Sequence, residues 1–300
     1  LHPFDQIPPE QPVEPAQDEL TPASGQPISG PEAPVPGPGG PVPGPATPVS
    51  GSGREQAVVD LVDVALIAGF AFFSIILCTV LALAVVYSAP GARGLDPRDL
   101  ARNALIIIPA QFVAYVMVVG FMVFIVWTRH RTGFLQGIQW NMPGPRTAFI
   151  ALGGGAALAL SSQLFSGLLH RWIPKTLPID QFFKGPASGY LLAGFGIFVA
   201  PFVEEFFFRG FLYPALARWT GVPTSIVLTA IAFSSIHQEQ LAHAWAPLLI
   251  IFGVGLVLTI VRARTRSVAT SVLIHMGYNG TLFTMLFFLT QGFHHMERMN

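Results

Sequence analysis

Beyond residue 57 the chain alternates long uncharged, apolar runs with short polar segments. The uncharged runs cover 64–92, 103–128, 147–169, 187–203, 219–236, 244–261 and 267–296. Each contains or nearly supplies the roughly 20 apolar residues a helix needs to cross a bilayer, so the pattern predicts about seven transmembrane helices. The fourth run is interrupted by Glu204 and Glu205, but apolar positions resume at Phe206, Phe207, Phe208, Phe211 and Leu212. One helix is therefore expected to continue to about Ala217. Pro143, Pro145, Pro174, Pro178, Pro186 and Pro223 fall between runs, where a helix must stop or start.

The first 57 residues have no such pattern. They hold 15 of the 27 prolines and seven acidic residues against one basic residue, Arg54. A segment of this kind buries too little apolar surface to offset the entropy of ordering it, and a disordered Pro/Gly-rich acidic tail is expected. Three parts follow: the tail at 1–57, two N-terminal spans within 58–146, and a membrane core at 147–296. The expected fold class is an all-α polytopic membrane bundle with a disordered N-terminal tail. The tail is either a solvated linker or an arm that docks a protein partner through its polyproline stretch.

Composition agrees with the pattern. Hydrophobic residues make up 52% of the chain and charged residues 11%, where a soluble domain carries about 25% charged, which excludes an ordinary soluble enzyme. Lys+Arg and Asp+Glu both number 16, so there is no basic surplus for a phosphate backbone and no nucleic-acid partner is expected. The single cysteine, Cys78, excludes an internal disulfide and a Cys-based zinc site. The lipid bilayer is the first expected partner, and an integral, multi-pass position in a bacterial plasma membrane the expected location. The connection from Arg171 to Pro186 mixes Trp172, Phe182 and Phe183 with Arg171, Lys175 and Lys184, a composition suited to the membrane interface.

Ionisable residues inside apolar spans are costly and mark function or pairing. In FVEEFFFRGFLYP, Glu205 and Arg209 stand at i and i+4, acid before base, so they share a helix face. Glu204 is about 100° around the helix and points elsewhere. Two carboxylates thereby acquire two environments, one a structural charge and one a titrating base. IAFSSIHQE puts Phe233 one turn before His237, and LIHMGYNGT puts His275 and Asn279 on one face. A Glu, two His and an Asn from three spans can converge on one water. Glu204, His237 and His275 would equally supply three ligands to zinc or another divalent metal, and the residues alone leave both chemistries open.

The ordered trio EExxxR, FxxxH and HxxxN resembles the CPBP family of intramembrane proteases, which includes CAAX endopeptidases and bacteriocin-processing or immunity proteins. Glu204, Glu205, Arg209, Phe233, His237, His275 and Asn279 match it without departure. The resemblance covers about 147–290. It implies an endopeptidase acting on a membrane-associated or lipidated peptide. Glu204 and His237 would activate water, His275 and Asn279 would form the oxyanion hole, and Glu205, Arg209 and Phe233 would support the site. The competing readings are a non-catalytic scaffold, an immunity factor or subunit of a larger membrane complex, and a cation or proton transporter. The transporter would be expected to show inverted repeats or paired broken helices, and the sequence has neither.

Overall fold

A computed structural model describes residues 59–90 and 96–299; the chain divides into Leu1–Gly51 and Ser52–Asn300, and the described residues all lie in the second unit. The expected tail at 1–57 lies outside them. The helices are α1 (Leu61–Ser88), α2 (Pro97–Leu100), α3 (Ala104–His130), α4 (Phe134–Gly137), α5 (Pro145–Leu168), α6 (Pro186–Phe198), α7 (Ala200–Glu205), α8 (Tyr213–Thr220), α9 (Val222–Ser235), α10 (Trp245–Thr265) and α11 (Val268–Leu289), with a π-helical segment, Phe206–Leu212, joining α7 to α8. There is no strand among the described residues.

Helix starts follow local chemistry. Asp60 and Asp63 form a reciprocal capping box at α1, Asn103 accepts from the Leu105 amide at α3, and Ser267 accepts from the Thr270 amide at α11. Pro145 and Pro186 open α5 and α6, where the missing N–H costs nothing. The Asp63 amide, aided by Arg129, holds the Asp60 carboxyl below its usual value. Buried Asp63 also pairs with Arg129 (2.6 Å) and His130 (2.7 Å), tying the first turn of α1 to the last turn of α3.

Six helical runs are long and apolar enough to cross a membrane: α1, α3, α5, the continuous run Pro186–Thr220, α10 and α11. Outward faces are apolar, with Phe72, Val85, Phe149 and Phe288 each at least 70% exposed, as lipid-facing positions should be. The chain is thus an integral multi-pass membrane protein. The expected fifth span is the exception. α9 has 14 residues, about 21 Å of helix against a hydrocarbon core of about 30 Å. Pro223 sits in its first turn, and Ser235 ends it two residues before His237, so the chain leaves the helix where the site begins.

The bundle closes by pairing α5 with α11, α1 with α3 and α9 with α10. The α5–α11 contact depends on glycine. A Cβ on Gly155 would overlap the Ile274 carbonyl oxygen, and one on Gly277 would overlap that of Leu152. Small residues let membrane helices approach to backbone contact. Gly277→Ala should therefore lower the melting temperature in detergent, an overpacking cost of about 1–3 kcal/mol or more. It should cut activity further, because His275 lies two residues away. Gly154→Ala, whose Cβ would meet nothing within 4 Å, should leave both measurements unchanged. Equal melting of the two variants would contradict this packing.

Candidate active site

The site is organised by the helical run from Ala200 to Thr220. After Glu205 the helix widens into the π segment, a rare form found mostly as single turns and often at functional sites. Phe206, Phe208, Arg209, Gly210 and Phe211 are all buried there. Phe206 and Phe211 join the core of α1 and α3, while Arg209 turns toward α10. Gly210 is needed at this point because Ile138 packs against it, within 3.2 Å of where a Cβ would stand.

Arg209 is fully buried and multiply engaged. It donates to Glu205 Oε1 (2.7 Å), to the Gly255 carbonyl (3.0 Å) and to Thr259 Oγ1 (3.3 Å). Its guanidinium carbon lies 4.6 Å from the centre of the Phe233 ring, a cation–π contact. Arg262 donates to the Arg209 carbonyl (3.1 Å) and holds that turn from α10. Glu205 is the buried counter-ion, with no exposed side-chain surface.

His275 of α11 joins the two glutamates. Its Nδ1 lies 2.9 Å from Glu205 Oε1 and its Nε2 3.8 Å from Glu204 Oε2. With Glu205 serving Arg209 as counter-ion, the Nδ1 proton of His275 is the donor in that bond. Glu204, by contrast, reaches a cavity of about 300 Å³ between α1, α3 and the start of the π segment. His237 lines the same cavity, and its Nδ1–H donates to the Phe233 carbonyl (2.9 Å). That bond fixes the tautomer and leaves Nε2 as a lone-pair acceptor. Phe233 itself is buried, edge-on to His275 with ring centres 5.8 Å apart and 5.1 Å from the His237 ring.

Six of the seven motif residues thus fall into two groups. Glu204 and His237 line the cavity; Glu205, Arg209, Phe233 and His275 form the buried cluster behind it. Asn279, one turn after His275, donates to the Gly196 carbonyl of α6 (2.6 Å), an approach that exists because Gly196 has no Cβ to meet Phe283. Neither His275 nor Asn279 forms part of the cavity wall. Glu204, His237 and His275 do not converge as a ligand set: among the described residues no three His, Cys, Asp or Glu side chains are arranged to hold a metal ion.

Two wall residues escaped the motif reading. Gln111 and Tyr115 of α3 face the cavity, and the Gln111 amide donates to the Tyr115 hydroxyl (3.1 Å). Their i, i+4 placement in an apolar span is the same signal that marks His275 and Asn279, but neither residue is charged. The interfacial connection contributes as well. Ile179 donates its backbone N–H to the Gln240 carbonyl (3.2 Å), and Trp172 packs on Trp245 at 5.7 Å, so 171–185 rests against the segment that carries His237.

A carboxylate, an imidazole and two further polar side chains thus face one cavity inside an apolar bundle. Residues 186–281, from the start of α6 into α11, match the family model described as Type II CAAX prenyl endopeptidase Rce1-like. The matched segment contains all seven motif residues, agrees with the resemblance to CPBP intramembrane proteases, and supports an intramembrane endopeptidase in general. No curated protein and no solved structure matches the chain.

Proposed function

We propose that the chain is a CAAX-type intramembrane endopeptidase that hydrolyses a peptide bond of a membrane-associated or lipidated substrate, using water activated by Glu204 and His237. The observation that carries this reading is the sharing of one cavity by a carboxylate and an imidazole whose tautomer is fixed. Ala68, Ala71, Ile75, Val118 and Met122 make the opposite walls apolar, which suits a substrate segment arriving from lipid.

Glu204 accepts a proton as water attacks the carbonyl carbon; the new C–O bond forms and the carbonyl π pair moves to oxygen. His237 Nε2 holds the water by its second proton. Collapse of the tetrahedral intermediate breaks the C–N bond, and the proton taken by Glu204 passes to the departing amine. Glu205 and Arg209 hold the charge behind the site, and His275 keeps the two carboxylates in register. The family resemblance implies His275 and Asn279 as oxyanion donors, but neither lines the cavity and Asn279 donates to the Gly196 carbonyl.

The test is reconstitution of the full chain in lipid vesicles with lipidated and unlipidated peptides, followed by mass spectrometry of the products. Internal cleavage, with fragments summing to the peptide plus one water, is the expected outcome. Intact peptides of both kinds would count against the proposal and favour a non-catalytic scaffold.

A further inference from the structure

The structure assigns Tyr115 of α3 as a hydrogen-bond donor to the oxyanion of the tetrahedral intermediate, an inference that rests on the hydrolytic reading above. In the arrangement described, the motif residues leave this role incompletely filled. His275 lies between the glutamates, its Nδ1 proton donated to Glu205 and its Nε2 edge turned to Glu204. Asn279 spends one amide proton on the Gly196 carbonyl, and neither side chain is part of the cavity wall. His237 likewise commits Nδ1–H to Phe233 and presents a lone pair. An oxyanion needs N–H or O–H groups aimed at it, and none of these three is placed to offer one freely into the cavity.

Tyr115 is. Its hydroxyl accepts from the Gln111 amide, which satisfies one lone pair and leaves its own proton to be donated elsewhere. Its ring is held from the other side by Phe195 of α6, with centres 5.4 Å apart. Both Tyr115 and Gln111 line the cavity with Glu204 and His237. A neutral O–H suits a developing negative charge next to a carboxylate base, since it adds no competing cation. Gln111 then acts as a positioning residue: it touches Tyr115 and directs the hydroxyl proton.

The experiment compares wild type, Tyr115→Phe and Gln111→Leu, full chain in vesicles, on a peptide that the wild type cleaves. Tyr115→Phe keeps the ring and its Phe195 contact, so melting should be unchanged while kcat falls about 10²-fold with KM within about threefold. Gln111→Leu should lower kcat about tenfold by freeing the hydroxyl's orientation, with KM again held. Two inhibitors separate chemistry from fit. A peptide aldehyde, whose hydrate carries the tetrahedral oxygen, should bind Tyr115→Phe about 10²-fold more weakly; the same peptide with a reduced methylene-amine bond, which lacks that oxygen, should bind both proteins alike. Wild-type kcat and aldehyde affinity in Tyr115→Phe would overturn the assignment of Tyr115 while leaving the hydrolase intact. Equal weakening toward both inhibitors would also overturn it, by showing a role in shape alone. A wild type inert toward every peptide would remove the hydrolytic reading and this inference with it.

Discussion

Glu204→Gln should reduce peptide turnover at least about 10³-fold while leaving the melting temperature of the purified protein within a degree or two. The amide keeps the shape of the carboxylate but cannot take a proton from water, and a positioned general base contributes about 10²–10⁴-fold. Loss of the charge should cost little fold because Glu204 faces the cavity and makes no contact with Arg209 as close as that of Glu205. Turnover rates with melting curves on the same samples check this. A Glu204→Gln protein with wild-type turnover would show that the neighbouring carboxylate, or another group, is the base.

Arg209→Met should have the opposite profile, a loss of fold that brings loss of activity. Glu205 would remain buried without its counter-ion, and the carbonyl of Gly255 and the hydroxyl of Thr259 would each lose a donor. Removing one partner of a buried ion pair costs about 3–5 kcal/mol, a large share of the stability of a typical domain. The expected result is poor folded yield or a strongly lowered melting temperature in detergent. Glu205→Gln should move in the same direction by less, since its amide still accepts from the guanidinium. If Arg209→Met melted like wild type, the ion pair would be no part of what holds the π segment.

The contrast between Glu204 and Glu205 was legible from spacing alone, because i, i+4 geometry on a helix is set by backbone periodicity rather than by packing. The spans were legible for a similar reason: a run free of charge and long enough to cross a bilayer has few other places to go. α9 was not. Its uncharged run extends to Ile236, but the helix stops at Ser235, where the Phe233 carbonyl accepts from the His237 side chain while the His237 amide turns to the Ser234 carbonyl. The π segment was also hidden, since it arises from the competing demands of Phe206 and Phe211 on one side and Arg209 on the other.

The site divides along the same line. Which residues are candidates for chemistry could be read from charge in an apolar context, but which of them meet could not. His275 lies 70 residues from Glu205 and reaches it because α11 packs against α7. That Asn279 turns to Gly196, and that Tyr115 with Gln111 faces the cavity, are consequences of how α6, α11 and α3 pack. No motif spacing encodes these contacts.

Attack by a water that Glu204 and His237 activate can be followed in a single turnover in ¹⁸O-labelled water with enzyme in excess over peptide. The account predicts one ¹⁸O atom in the new carboxylate of the product, an unchanged protein mass throughout, and no label in Glu204. A peptide–protein adduct during turnover, or ¹⁸O in the Glu204 carboxylate after it, would show a covalent intermediate and contradict the account.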